Sequence, residues 1–368
     1  MKKKRNGKSI FNISVIVISL GIMVYFCVSE NGVIDLIRTA GNFDYGWLIM
    51  AIVCNAVNIL IDAYLIYRFT RNSCPTFNFR TAFKTSMVGQ FFSAVTPFST
   101  GGQPMQIYVM SKRGVKPGIG TSALVQRFVV YQSTLVAYSI LAIAILANSP
   151  NSNFSPLMWS FAVFGFASQA FVILMLLLFS FSRKLTHSLL NLAGKLLSKM
   201  HMKNLENKLH GFEEQLTMFH ESNRELYKNR KLVVETYVLT VVQLTAMFII
   251  PYCIYRTFNL SGGRILDMIS SQAFVTMATC FIPLPGAAGA SEVSFMGFFA
   301  SLFPPETMKS AVLLWRVITY YGVILFCAPF SRLAKHRNDD PVEDEPSSPE
   351  EEAAGGTEEQ AAPQDGKE

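Results

Sequence analysis

Residues 265–303 form an apolar run broken near its middle by Pro283-Leu284-Pro285-Gly286-Ala287-Ala288-Gly289-Ala290-Ser291-Glu292, which sets prolines, glycines and an acid among membrane-type residues. Hydrocarbon offers no partner for a non-helical backbone, and each unpaired amide there costs several kcal/mol. Such a break therefore persists only where protein or a wet cavity satisfies it. A second break, Thr96-Pro97-Phe98-Ser99-Thr100-Gly101-Gly102-Gln103-Pro104, interrupts residues 82–110 in the other half of the chain. Paired Pro/Gly-broken segments in two halves point to a binding site near the bilayer midplane, of the kind transporters use.

The setting of these breaks is a polytopic membrane protein. Of the 368 residues, 51% are hydrophobic and 15% charged, and several apolar runs exceed the ~18 residues that cross a bilayer. The net charge of +7 hides an asymmetry, because residues 339–368 hold twelve Asp/Glu against one Lys. The basic excess belongs to residues 1–338, where it reports orientation and attraction to anionic headgroups, not nucleic acid. Cys27, Cys54, Cys74, Cys253, Cys280 and Cys327 show no metal or redox spacing and read as small buried residues.

Taken in order, Lys2, Lys3, Lys4, Arg5 and Lys8 precede an apolar run at 10–28, longer than a signal-peptide core and without a small-x-small cleavage site. It reads as a membrane anchor. Further spans are expected at 47–67, 118–147, 157–181, 232–255 and 309–330. Arg68, Arg71, Arg80 and Lys84 follow the second span, and Arg332, Lys335, His336 and Arg337 follow the last. By the positive-inside rule both termini are cytoplasmic. Each broken segment then returns to its own side as a re-entrant hairpin, and parity makes the two enter from opposite faces. The fold expectation is all-α: about six full spans plus two re-entrant hairpins arranged as an inverted repeat, within a membrane domain of residues 1–338. Residues 183–231, with leucines and phenylalanines at helical spacing, read as a cytoplasmic helical hairpin insertion lying on the membrane surface. Residues 339–368 read as a disordered acidic cytoplasmic tail.

Gly-rich turns and helix N-termini present free N–H groups to anions, so two turns meeting at mid-membrane would cradle a phosphate. The turn residues are Thr96, Pro97, Ser99, Gly101, Gly102, Pro283, Pro285, Gly286, Gly289 and Ser291. Around them stand the intramembrane ionisable residues Arg127, Glu292 and Arg316. A central Arg costs at least ~2.5 kcal/mol on insertion scales and marks function by default. Arg316 is the partner expected for Glu292, either at a cargo site or as a structural pair holding two helices. Asp62 reads instead as a polar residue near the cytoplasmic interface, within two turns of Arg68. Gln103, Gln106, Tyr108, Tyr131, Gln132, Tyr320 and Tyr321 can hydrogen-bond a headgroup, but each alone is better explained as interhelical glue or an interfacial belt residue, and only their convergence carries weight. The histidines His187, His201, His210 and His220 do not pair at i,i+4, so no metal and no cofactor is expected. No catalytic constellation appears at a membrane face.

The two broken motifs, Lys112-Arg113-Gly114, Gln126-Arg127-Phe128-Val129-Val130-Tyr131-Gln132 and Leu314-Trp315-Arg316-Val317-Ile318-Thr319-Tyr320-Tyr321 together resemble the flippase-like membrane domain of the bacterial lysylphosphatidylglycerol synthase/flippase family. The resemblance covers residues 10–335. In two-part members a soluble domain that transfers lysine from lysyl-tRNA to phosphatidylglycerol follows this one, whereas here an acidic tail of about thirty residues follows, so transferase activity is not expected. Ala287-Ala288 stand where the family pattern suggests Gly, which tightens the turn. The resemblance implies translocation of a phospholipid headgroup, aminoacylated phosphatidylglycerol above all, in a bacterial cytoplasmic membrane. A membrane partner of a separately encoded lipid-modifying enzyme, or a polyprenyl-phosphate or glycolipid carrier, are the alternatives. Phospholipid cargo, a second copy of the chain or that enzyme are the partners expected, and nucleic acid is not.

Overall fold

Prolines and short polar caps mark where the helices begin. Asp44 accepts from the Gly46 amide (3.0 Å), Asn78 from Thr81 (2.8 Å) and Asn229 from Leu232 (3.1 Å), each satisfying an otherwise orphaned first-turn donor. Pro117, Pro156 and Pro305 open three further helices, where a missing N–H costs nothing. The computed structural model describes residues 36–38, 40–147, 156–181, 217–218, 220–225, 228–280 and 282–334. The expected 10–28 anchor, most of the 183–231 insertion and the 339–368 tail lie outside the described residues.

Among the described residues the chain is helical throughout, with eleven α-helices. These are α1 (Tyr45–Ser73), α2 (Phe79–Val95), α3 (Gly102–Ser111), α4 (Pro117–Ala147), α5 (Pro156–Phe181), α6 (Arg230–Phe248), α7 (Ile250–Thr257), α8 (Ile265–Thr279), α9 (Ala290–Phe299), α10 (Pro305–Arg316) and α11 (Gly322–Cys327). Five stretches are long and apolar enough to cross a membrane: Tyr45–Ser73, Pro117–Leu146, Met158–Met175, Arg230–Thr257 and Pro305–Leu333. The chain is a polytopic membrane protein. Its outer faces are apolar, with Ile49, Ile52 and Val53 on α1, Val163, Phe164 and Phe171 on α5 and Val234, Val238 and Val242 on α6 all exposed. In water such faces would be a liability, whereas lipid is their natural solvent.

The largest core lies in the second half, where Phe248, Phe274, Phe295, Phe298, Phe299 and Trp315 are buried together. Phe295 stacks on Phe299 at 4.3 Å and tilts against Trp315 at 5.0 Å, locking α9 to α10. Where backbones must approach closely the sequence supplies glycine. A Cβ on Gly165 of α5 would collide with the Met277 backbone of α8, the close helix contact that small residues permit in membranes.

Two pairs of shorter helices carry the breaks. α2 and α3 flank a 3₁₀ turn at Pro97–Ser99, and α8 and α9 flank another at Pro285–Ala287. The interval from Pro97 to Pro285 recurs from Gly102 to Ala290, the starts of α3 and α9, and again from Pro117 to Pro305, the starts of α4 and α10. α3 and α9 have ten residues each. At ~1.5 Å per residue that is about half the hydrocarbon thickness.

Candidate functional site

The first turn is closed by Thr96, whose hydroxyl donates to the Phe92 carbonyl (2.6 Å) and accepts from the Gly101 amide (2.9 Å). Phe98 and Ser99 hold left-handed φ values of 53° and 55°, uncommon for residues with a side chain. Gly102 lies against Ser93 and the Gly89 carbonyl, and Gly89 lies under the Gln106 side chain, leaving no room for a Cβ at either. Gln106 is buried at this α2–α3 contact, so the structure makes it part of the hairpin's packing. Ser99 and Gln103 are exposed at the turn. Tyr108 lies near the other end of α3 with the Lys112 ammonium 5.0 Å from its ring centre, and Gln132 is buried on α4.

The second turn is a near copy. Gly286 (φ 59°) and Ala287 (φ 50°) repeat the left-handed pair, and Gly289 (φ 83°) precedes α9. The Ala287 amide donates to Leu284 (2.8 Å), and the Ser291 hydroxyl donates back to the Gly286 and Ala287 carbonyls at 3.2 and 3.1 Å. Pro285, Ser291 and Glu292 are buried and Pro283 is exposed. The Tyr320 ring covers Gly286 so closely that a Cβ there would enter it.

The two turns pack directly against each other, and α2 packs on the second turn. The Tyr320 hydroxyl donates to the Ala94 carbonyl in the last turn of α2 (2.8 Å), joining the second-half constellation to the first hairpin. Tyr320 can reach because helix geometry changes after Arg316. Residues Val317–Tyr321 form a π turn, whose Ile318 carbonyl accepts from Asn55 of α1 at 2.9 Å. Such π insertions recur at functional sites.

Arg316 organises the second turn. Its Nε donates to Glu292 Oε1 (2.8 Å) and a terminal nitrogen donates to the Gly286 carbonyl (3.0 Å), while its guanidinium centre lies 5.3 Å from the Tyr320 ring centre. Glu292 is 5% exposed, and its second oxygen, Oε2, is buried without a partner among the described residues. Arg127 does not join this group. It pairs with Asp62, which is 1% exposed and also accepts from Ser86 and Gln90 of α2. The structure adds a partner, Arg127, to the interfacial reading of Asp62. Arg68, the neighbour that suggested it, is held instead by Glu235 of α6 (Nε to Oε1, 2.8 Å), with Tyr64 on the same oxygen. Ser86 and Gln90, one helical turn apart on α2, were the available sequence signal for a buried acid opposite them. Among the described residues no three His, Cys, Asp or Glu side chains gather in a way that would hold a metal ion.

With the turns and ion pairs in place, comparison with known proteins settles the family. Residues 12–327 match the model of the lysylphosphatidylglycerol synthase TM region. The chain belongs to this family. The matched residues cover both broken hairpins and the three arginine–carboxylate pairs described above. The chain is also 25% identical over 290 residues to a UPF0104 membrane protein of Archaeoglobus fulgidus, covering 77% of this chain and 81% of that one. Over 351 residues it is 25% identical to an uncharacterized protein of Mycoplasma genitalium, covering 86% of each.

Proposed function

We propose that this member of the synthase TM-region family moves a phospholipid headgroup across the cytoplasmic membrane, with aminoacylated phosphatidylglycerol, such as lysyl-phosphatidylglycerol, or a related lipid as cargo. The observation that carries the reading is the contact between two non-helical turns inside a helical membrane body, one of them bearing a buried Glu–Arg pair with an open carboxylate oxygen. A backbone so costly to place in a membrane is retained where it lines a polar path.

Further features support it. Three candidate spans among the described residues lie between the broken segments, which supports hairpins entering from opposite faces. The recurring interval and the half-membrane lengths of α3 and α9 fit an inverted repeat whose tips meet near the midplane. The tips also differ in charge. α3 has no acid in its first turn, whereas α9 carries Glu292 there. A phosphate is better received by the free amides of α3 together with Arg316, and a headgroup amine by Glu292, while the acyl chains stay in the bilayer.

The test is transport by the purified chain in liposomes, comparing fluorescent lysyl-phosphatidylglycerol, phosphatidylglycerol and a polyprenyl phosphate. The reading expects protein-dependent movement of the first two. Movement of the polyprenyl phosphate alone would assign the carrier role instead, and movement of none would remove the transport reading.

A further inference from the structure

Resting on that reading, we propose that Glu292 takes up a proton on Oε2 when a phosphate headgroup without an amine enters, so that its translocation is coupled one-to-one to protons. Asp62 and Glu292, the two buried acids paired with an arginine, differ in one respect. Asp62 has both oxygens engaged, one by Arg127 and the other by Ser86 and Gln90. Glu292 has Oε1 on Arg316 and Oε2 buried without a partner among the described residues. A buried carboxylate oxygen with nothing donating to it is an acceptor held ready.

Charge balance then chooses the occupant. Glu292 and Arg316 together are neutral, so a phosphate arriving beside them adds an uncompensated negative charge in a low-dielectric site. An aminated headgroup brings its own cation to Oε2, whereas phosphatidylglycerol brings none. A proton on Oε2 supplies the missing charge and weakens the carboxyl group's hold on Arg316 Nε. The guanidinium is then free to turn to the phosphate while still anchored to the Gly286 carbonyl. A metal cation is a poorer occupant, because it needs several oxygen ligands and the carbonyl at the turn, Gly286, already accepts from Arg316 and Ser291. The charged and titratable groups on the elements packed around Glu292 are few. α10 supplies Arg316, with Glu306 and Lys309 toward its other end, the π turn carries Tyr320 and Tyr321, and α8 carries Cys280 at its C-cap and the buried Asp267 in its first turn at the opposite end. α5 and the two turns carry none.

The measurement uses the full chain in phosphatidylethanolamine/phosphatidylglycerol liposomes holding entrapped pyranine and a trace of fluorescent phosphatidylglycerol, with the membrane potential clamped. One proton per anionic lipid is electroneutral, so each imposed pH unit shifts the steady-state ratio of labelled lipid between leaflets by about tenfold. Pyranine reports protons moving with the lipid, and a sodium gradient has no such effect. Glu292→Gln holds the leaflet ratio at about one under any gradient, and Glu292→Asp, which keeps a carboxyl group, restores the response. Lipid movement in the wild type that ignores the gradient and carries no protons overturns the proton step while leaving the transport reading intact. A gradient response that survives in Glu292→Gln overturns the assignment to this residue. Absence of protein-dependent lipid movement removes the transport reading itself, and the proton step with it. The wild-type arms decide coupling even if Glu292→Gln does not fold.

Discussion

Asp62 and Glu292 are both acids buried against an arginine, and their surroundings predict different costs of neutralisation. Arg316 has 7% of its side chain exposed, so Glu292→Gln strands a buried charge, a loss typically worth about 3–5 kcal/mol. The Arg127 side chain is 22% exposed, so water compensates part of what Asp62→Asn removes. Thermal unfolding in detergent is expected to show the smaller shift for Asp62→Asn. The reverse order would mean that Arg127 is the more strictly enclosed charge. The sequence indicated the Glu292–Arg316 pair because Glu292 closes the second broken motif and Arg316 is an ionisable residue within the span that follows it. It did not indicate the partner of Asp62, Arg127, 65 positions away, or that of Arg68, Glu235, 167 positions away. Long-range pairing of charges has no local signature.

At the scale of elements, the turns were readable because prolines and glycines clustered over a few residues break a helix, and lipid cannot satisfy the backbone groups so freed. Their contact with each other was not, since it depends on how the hairpins pack. The π turn at Val317–Tyr321 has ordinary helical composition and is accompanied by a bond from Asn55, far earlier in the chain. The two left-handed positions make a paired prediction. Gly286→Ala places a methyl in the Tyr320 ring and holds a non-glycine residue at φ 59°, costing at least the roughly 1–2 kcal/mol of the left-handed conformation. Phe98→Gly, at an exposed site with φ 53°, relieves the same conformational cost and is expected to leave stability unchanged or raise it. Melting temperatures of the two variants check this. A neutral Gly286→Ala would show that Tyr320 does not sit over the turn.

For the whole molecule, hydropathy set two spans to within a residue, 118–147 against Pro117–Ala147 and 157–181 against Pro156–Phe181, whereas the expected 47–67 stops six residues short of the end of Tyr45–Ser73. Sidedness rests on flanking bases and parity, and it predicts that the loops after α3 and before α8 face opposite compartments. In a cysteine-free background, Ser261→Cys should react with an impermeant maleimide added outside, and Arg113→Cys only after permeabilisation. Labelling of both from one side would break the inverted arrangement. The central claim, that the meeting of the turns at Glu292 and Arg316 is a passage for a lipid headgroup, is separable from a purely structural role by the double variant Glu292→Gln/Arg316→Gln. Removing both partners leaves no stranded charge, so stability should recover relative to either single variant. The decisive measurement is movement of fluorescent lysyl-phosphatidylglycerol by this double variant in liposomes. A stable protein that no longer moves the lipid is the predicted result, and a stable protein that moves it at the wild-type rate would contradict the account.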